Sequence, residues 1–393
     1  VSRHLDHGPK LTDAHIVLAG PYLPDRQHSM ERYAQLLKDG LTQEGVQASL
    51  HKPEVTFGRF SRILGRLRKH LTYLDKFMLF PARLARTVHE LQSSGPVLLH
   101  ILDQGNALYL RGRPTAPVLI TCHDLIAAKA ALLTPTGSRS KQRSLGQWFH
   151  SRVVQTLQRS QAVICDSDKT LSDCQRLFDG SNPMPQLRRV HVPLDPFFCE
   201  SVSTDASISP FLLHVGNSAW YKNRTGLLRL YGELCTLDAR VPPLHLYGEP
   251  LQDHELAVLT ELQLHSRVTC HPRPSNEAIR LAYNQATALI FPSLEEGFGW
   301  PPLEAMACGC PVFTSNRAPL TEIGGPAAEY IDPENPADAA ATIAKCLALG
   351  PAWREEKVRA GKIRAAQFTS AGFMREMSQS YLSVLDQTAA HKP

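Results

Sequence analysis

The sequence predicts an α/β protein of two doubly wound domains, and three observations carry that expectation. The chain has 393 residues, more than one domain at about 150 residues each would use. Short apolar runs alternate with stretches of helical apolar spacing, the pattern of strands buried on both faces of a parallel sheet and joined by helices. The plan also starts twice: Ala14-His15-Ile16-Val17-Leu18-Ala19-Gly20 and Pro210-Phe211-Leu212-Leu213-His214-Val215-Gly216 are both strand-like runs leading into a turn. Two Rossmann-like domains are therefore expected.

In the first half, residues 30–41 have helical spacing, Gly45 stops that helix, and 46–50 reads as a strand. Further strands are expected at 97–102, 118–122 and 162–165. The second half repeats the alternation at 244–247, 268–270, 288–291 and 312–314. Between the halves, 201–210 is Ser-rich and weakly apolar, as a hinge is. The expected division is 1–200, a hinge at 201–210, a second domain over 211–367 and a terminal helical segment over 368–393.

Composition removes several classes. Apolar residues make up 43% and charged residues 20%, which excludes wholesale disorder. No run approaches the roughly 18 apolar residues of a membrane span, and the first residues lack the apolar segment of a signal peptide, so a cytoplasmic protein is expected. The nine cysteines are odd in number and form no C-x-x-C pair, which points to reduced thiols and to no zinc site. Residues 1–200 hold 26 Lys+Arg against 17 Asp+Glu, while 201–393 hold 16 against 20, giving halves of +9 and −4. So mild a basic balance does not argue for a nucleic-acid partner.

The most informative segment runs from Phe291 through Glu295-Glu296-Gly297-Phe298-Gly299-Trp300-Pro301-Pro302-Leu303-Glu304 to Val312. A strand ends, a Gly-rich turn follows, paired prolines open a short helix, and Gly309 closes it before the next strand. Backbone N–H groups of Phe298, Gly299 and Trp300 fall at the helix N-terminus, where partial positive charge suits a phosphate or a sugar oxygen. Glu296 and Glu304 bracket the turn, and carboxylates there match the vicinal hydroxyls of a sugar or a ribose. Taken singly, Glu304 also reads as a dipole-stabilising residue and Glu296 as a solvated loop charge. A second segment, His214-Val215-Gly216-Asn217-Ser218-Ala219-Trp220-Tyr221-Lys222-Asn223-Arg224, puts Lys222 in reach of a diphosphate, although a lone lysine is commonly a surface charge.

The first of these strings resembles the Glu-x7-Glu motif of retaining glycosyltransferases of family 4, which have the GT-B fold: two Rossmann-like domains facing a cleft, with a C-terminal helix crossing back to the first. The resemblance covers most of the chain and is densest over about 211–335. It implies a donor site formed by Gly20, Gly216, Asn217, Lys222, Arg224, Glu296, Gly297, Phe298, Gly299, Trp300, Leu303 and Glu304, with Glu296 at the transferred sugar and Glu304 on the ribose. Asn217 stands about where the family often has an Arg, so neutralisation of the leaving group falls to Lys222 or to Arg224.

In the first half, Thr121-Cys122-His123-Asp124-Leu125 places a His-Asp pair at a strand end. Such a His is equally a satisfied structural residue; the resemblance puts His123 and Asp124 on the acceptor side, with Ser29 and Met30 at the start of the first helix. His123, Lys222 and Glu296 are the catalytic candidates. Residues 58–87 form a basic amphipathic stretch: Arg59, Arg62, Arg66, Lys69, Lys76 and Arg83 accompany an apolar stripe of Phe60, Ile63, Leu64, Leu67, Leu71, Leu74 and Met78. It reads as a surface helix packed on the first domain, or as a face meeting anionic lipid on the inner face of the cytoplasmic membrane.

The resemblance implies transfer of a mannose- or glucose-type sugar from a GDP- or UDP-linked donor to a hydroxyl of a glycan or lipid-linked saccharide, with retention and by front-face attack. It implies no cofactor beyond the substrate and no metal, and no Asp-x-Asp motif lies at a strand end. Two alternatives stand beside it: a sugar-nucleotide 2-epimerase, which needs no acceptor, and a non-catalytic sugar-nucleotide-binding subunit. A nicotinamide enzyme is disfavoured because Gly20-Pro21-Tyr22-Leu23-Pro24 is not a G-x-G-x-x-G fingerprint.

Overall fold

A computed structural model describes residues 10–25, 27–58, 68–133, 141–199 and 209–390. They divide into two units: the first comprises the described residues up to Val192 together with Ser370–Ala390, the second Pro193–Thr369. Each is built on a six-stranded, wholly parallel sheet.

The first sheet contains β1 (His15–Ala19), β2 (Gln47–His51), β3 (Val97–Ile101), β4 (Val118–Cys122), β5 (Ala162–Cys165) and β6 (Gln186–Arg189), in the order β2-β1-β3-β4-β5-β6. The chain moves outward from β1 to β2 and then returns to the other side of β1 to place β3. The switch point thus lies between β1 and β3, where doubly wound sheets bind ligands beyond the carboxyl ends of their strands. Alternate residues of β1, β3, β4 and β5 pack one face against Phe80, Leu84 and Val88 of the helix Phe80–Gln92 and Val153, Val154 and Leu157 of the helix Lys141–Gln158.

The second sheet contains β7 (Leu212–Gly216), β8 (Leu244–Gly248), β9 (Val268–Pro272), β10 (Ala288–Phe291), β11 (Val312–Ser315) and β12 (Glu329–Ile331), in the order β12-β11-β10-β7-β8-β9. Its switch point falls between β7 and β10. One face is covered by Leu227, Leu228, Tyr231 and Leu234 of the helix Arg224–Leu237 and by Ala339, Ala340 and Ile343 of the helix Pro336–Ala348.

The last helix, Ser370–Ala390, is part of the first unit. Tyr381 is fully buried and its hydroxyl lies 2.7 Å from Nδ1 of His100 on β3, while Ser383 bonds to Gln186 of β6 and Ser378 to Glu44. The division between units comes at Val192/Pro193, before the Ser-rich segment, of which 201–208 lies outside the described residues. The reason is local: Leu194 N–H donates to Phe368 O, Phe198 packs edge-on to Tyr283, and the Arg280 guanidinium sits 4.0 Å over the Phe197 ring.

The stretch 58–87 needs a correction. Residues 59–67, with Arg59, Phe60, Arg62, Ile63, Leu64, Arg66 and Leu67, lie outside the described residues. The rest is a helix at Arg68–Leu74, a π-helical turn at Asp75–Leu79 and the helix Phe80–Gln92. The wider turn shifts the inward face, so the buried residues are Phe77, Phe80, Leu84 and Val88, while Met78, expected in the stripe, is 64% exposed. Lys76 pairs with Asp25 and Arg83 with Glu54.

Candidate functional site

At the switch point of the second sheet, two loops are joined by specific bonds. The turn after β7 carries Trp220–Lys222, and Asn223 follows at φ 54°, a left-handed conformation that Asn tolerates better than most residues. Its Oδ1 accepts from Gly226 N–H and caps the helix Arg224–Leu237. Its Nδ2 donates to Pro292 O at 3.1 Å and Pro333 O at 3.0 Å, and Leu294 N–H donates to Tyr221 O at 2.7 Å. These bonds bring the loop after β7 onto the loop after β10.

The result is a charged pair of residues 74 apart in the chain: Lys222 Nζ donates to Glu296 Oε1 at 2.8 Å and Oε2 at 3.0 Å. The side chains are 14% and 9% exposed, so the pair is largely desolvated yet at the surface of the loop. Lys222 Nζ also lies 5.0 Å from the centroid of the Phe291 ring, which holds the ammonium at the strand end.

Beside the pair, the turn into the helix Trp300–Ala307 depends on Gly299. Its φ is +115°, and a Cβ there would stand 2.9 Å from Leu320 Cδ2. The amides of Phe298, Gly299 and Trp300 fall at this helix N-terminus, next to Gly297. The side chains of Phe298 and Leu303 are buried in the core, so what they can offer a ligand is backbone; Leu303 N–H is already bonded to Gly299 O at 3.3 Å. Glu304 is buried and accepts from the Tyr283 hydroxyl at 3.2 Å.

The loop is also shaped by close backbone approach. Gly216 ends β7 opposite Gly248 of β8, and a Cβ on Gly248 would lie 1.9 Å from Gly216 O. Below Gly216, His214 donates from Nδ1 to Ile290 O at 3.0 Å and stacks on Phe291. Burial holds its pKa down at about 3, so it is a neutral ring under the loop. Asn217 closes a tight turn, its Oδ1 accepting from Ala219 N–H at 3.1 Å.

Arg224, a candidate for the diphosphate, turns the other way. Its Nε lies 3.1 Å from Glu255 Oε1, with both side chains almost fully buried, and its Nη1 donates to Ser218 Oγ and Glu249 O. At the first position of its helix it points toward the neighbouring helix Asp253–Glu261, where a buried carboxylate requires a counter-charge. Lys222 is the cation that faces Glu296.

In the first unit, His123 follows β4, and its ring lies between two acceptors: Asp166 Oδ2 at 2.5 Å from Nδ1 and Leu102 O at 2.8 Å from Nε2. Two acceptors require two N–H donors, so the ring is an imidazolium. Burial opposes that charge, but Asp166, through charge and hydrogen bond, with Asp103 and the Leu102 carbonyl, raises the pKa to about 9. Both ring nitrogens are thereby occupied, and Tyr33 packs edge-on at 5.0 Å. Asp124 does not pair with His123; its Oδ1 accepts from Ile126 N–H and starts the following helix. Gly20 lies just beyond β1, with its N–H on His51 O. Ser29 and Met30 lie half-buried in the first turn of the helix His28–Gln43.

Asn223, Tyr283, Asp166 and His214 were not singled out as site residues. The one local signal was Asn223 directly before a helical run, an N-cap pattern; the other three act through partners far along the chain.

With this geometry in view, residues 203–364 match the glycosyl transferases group 1 family, nearly the whole of the second unit. These findings support a glycosyltransferase of the GT-B fold. The chain is similar to an O-antigen chain mannosyltransferase B of Escherichia coli, 26% identical over 81% of this chain and 82% of that protein. In fold it is similar to a sucrose-phosphate synthase of Thermosynechococcus elongatus, at TM-score 0.69 and 19% identity, covering 96% of this chain and all of the other. It is likewise similar to HepE of Anabaena, solved in complex with UDP, at TM-score 0.65 and 14% identity, covering 94% of this chain and all of the other. The comparisons favour sugar transfer over the epimerase and the non-catalytic alternatives. Among the described residues no helix is long and apolar enough to cross a membrane.

Proposed function

We propose that this protein is a retaining hexosyltransferase that moves a sugar, mannose first among candidates, from a GDP- or UDP-linked donor to a hydroxyl of a glycan or lipid-linked saccharide in cell-surface polysaccharide synthesis. The observation that carries the reading is the Lys222–Glu296 pair at the switch point of the second sheet, beside the Gly299 turn. A diphosphate arriving there offers Lys222 a stronger partner than a single carboxylate. Released from the ammonium, Glu296 has two oxygens for vicinal sugar hydroxyls, while Glu304 takes the ribose.

Charge develops on the departing diphosphate in the transition state, and Lys222 with the turn amides at the helix N-terminus stabilises it. No divalent metal is required in this scheme. The acceptor hydroxyl attacks the anomeric carbon on the face from which the diphosphate departs; the new C–O bond forms as the bond to the diphosphate breaks, the leaving phosphate takes the hydroxyl proton, and same-face attack keeps the anomeric configuration. The E. coli relative named as a mannosyltransferase favours mannose. The test is to supply GDP-mannose and UDP-glucose with mannosyl and glucosyl acceptors and to read the product's anomeric proton by NMR. An α-linked product from an α-linked donor agrees with the reading, and inversion contradicts it.

The same reading places the enzyme in the cytoplasm, with the stretch 58–87 against anionic lipid, favoured by the exposed Tyr73 and Met78. Failure to co-sediment with anionic vesicles at low salt contradicts that placement.

A further inference from the structure

His214 lies on β7 beneath the loop that carries Lys222, and only half of its ring is engaged. Nδ1 donates to Ile290 O at 3.0 Å. A carbonyl only accepts, so the single proton of this neutral imidazole is on Nδ1 and a lone pair is on Nε2. Nε2 has no hydrogen-bond partner among the described residues, although His214 is 0% exposed. An unmet acceptor at that depth costs stability, and an apolar ring of similar shape would fill the place without the cost. Packing alone gives no reason for the lone pair.

Nε2 lies beside the Lys222 stem. A Cβ on Gly216 would stand 3.0 Å from His214 Nε2 and 3.8 Å from Lys222 Cδ, so the acceptor and the lysine chain flank the same small volume. Gly216 is not one of the glycines with positive φ, so its missing side chain provides room there and not backbone freedom. Phe291 borders both groups, with the His214 ring stacked at 5.9 Å between centroids and Lys222 Nζ 5.0 Å from the ring centroid. With its carboxylate partner in place, the ammonium donates to both oxygens of Glu296.

We propose that His214 is a positioning residue for Lys222: when a diphosphate takes the place of Glu296 at the ammonium, one N–H of Lys222 donates to His214 Nε2 and the others to phosphate oxygens. The diphosphate is that of the transfer reading above, on which this step rests. Rotation within the lysine stem turns the ammonium from Glu296 toward the volume beside Gly216 without moving the backbone. A lysine is a point charge on a flexible stem, and phosphate oxygens attract it without fixing its direction. An acceptor held on β7 fixes that direction, and neutrality is what suits it to the task. A carboxylate there would compete with the phosphate for the ammonium, and an imidazolium would repel it. With Nδ1 tied to Ile290 O, the ring offers a neutral lone pair, and all three ammonium protons are placed.

The test is a double-mutant cycle on nucleotide affinity, by isothermal titration of GDP and of UDP into the full chain as wild type, His214→Phe, Lys222→Met and the double variant. Phenylalanine keeps a ring against Phe291 and removes Nε2. For the nucleotide that wild type binds, His214→Phe weakens affinity about tenfold, the scale of one hydrogen bond from a charged donor, and changes it by less than about twofold when residue 222 is already methionine. A second cycle uses Gly216→Ala, whose methyl stands between the acceptor and the stem; it follows the same pattern and decides the matter where His214→Phe does not fold. Equal losses in both Lys222 backgrounds, as a packing defect gives, overturn the positioning role. Nucleotide binding that depends on Lys222 and not on His214 overturns it too and keeps the transfer reading, whereas a wild type that binds neither nucleotide removes both.

Discussion

Each sheet places a charged pair at its strand ends, after β4 and β5 in the first and after β7 and β10 in the second, and the pairs differ in what they leave open. In the first unit the His123 imidazolium has one N–H on Asp166 and the other on Leu102 O, with Asp166 almost wholly buried. In the second, the Lys222 ammonium faces a single carboxylate at the surface of a loop, and a lysine has three protons to place. The first pair is closed: a ligand gains a donor there only by breaking an existing bond. The second is exchangeable, because another anion can take the carboxylate's place at the ammonium while freeing the carboxylate for hydroxyls. On the proposed reading, the same elements, a cation and a carboxylate at a strand end, make a structural pin in one unit and a ligand site in the other.

The largest effect that would break this comparison is on turnover. Lys222→Ala should lower kcat for sugar transfer by about 10²- to 10³-fold, the scale of removing one group that stabilises transition-state charge. Its stability should also fall, because Glu296 is left 9% exposed without its partner, but less than that of Arg224→Ala, and steady-state rates with far-UV melts check both. A fall in stability with unchanged kcat would make this pair a pin as well.

Arg224→Ala should act in the opposite sense. It leaves the buried Glu255 without its counter-charge and should cost about 3–5 kcal/mol of stability. Denaturant titration of Arg224→Ala beside Lys222→Ala separates the inward cation from the site cation. Gly299→Ala should cost about 1–3 kcal/mol, since it forces a side chain to φ +115° against Leu320. Nucleotide titration should show weaker donor binding as the turn amides shift.

The smallest effect is the pH signature of the closed pair. The pKa of His123 is raised in the folded state from 6.5 to about 9, so its contribution to stability is fully present below about pH 6.5 and is lost as pH rises through 9. In Asp166→Asn that loss should be absent. Urea midpoints of the two proteins measured across pH 6–10 should converge at the alkaline end; parallel curves would mean that His123 is not charged in the fold.

Much of the architecture was legible in the sequence because strands buried on both faces read as continuous apolar runs. Ile16–Leu18, Leu212–Leu213 and Leu289–Phe291 are examples. Two of the four edge strands, β6 and β12, were not legible. Gln186–Arg189 has a neighbour on one side only and carries polar residues, and Glu329–Ile331 is short and half-buried, so neither produces a run. The turn of π-helix was hidden for a different reason: the widening is selected by Asp75 meeting donors from residues 22 and 56–58, which no local spacing records.

In the site, the Glu296-to-Glu304 string and Lys222 could be picked out as chemistry-bearing, but not that Lys222 and Glu296 touch. Nor did the sequence distinguish Lys222 from Arg224, two residues apart. Direction decides between them, and direction is set by Asn223 turning the backbone left-handed and by Glu255 waiting on another helix.

The most direct measurement of the central claim is isothermal titration of GDP-mannose and of UDP-glucose into wild type, Lys222→Ala and Glu296→Gln. If the pair is an exchangeable donor site, one sugar nucleotide binds wild type, and Lys222→Ala weakens it by about tenfold or more. Glu296→Gln then weakens the sugar nucleotide more than it weakens the corresponding free nucleotide. Binding that is the same in all three proteins, or no binding of either donor to wild type, contradicts the account.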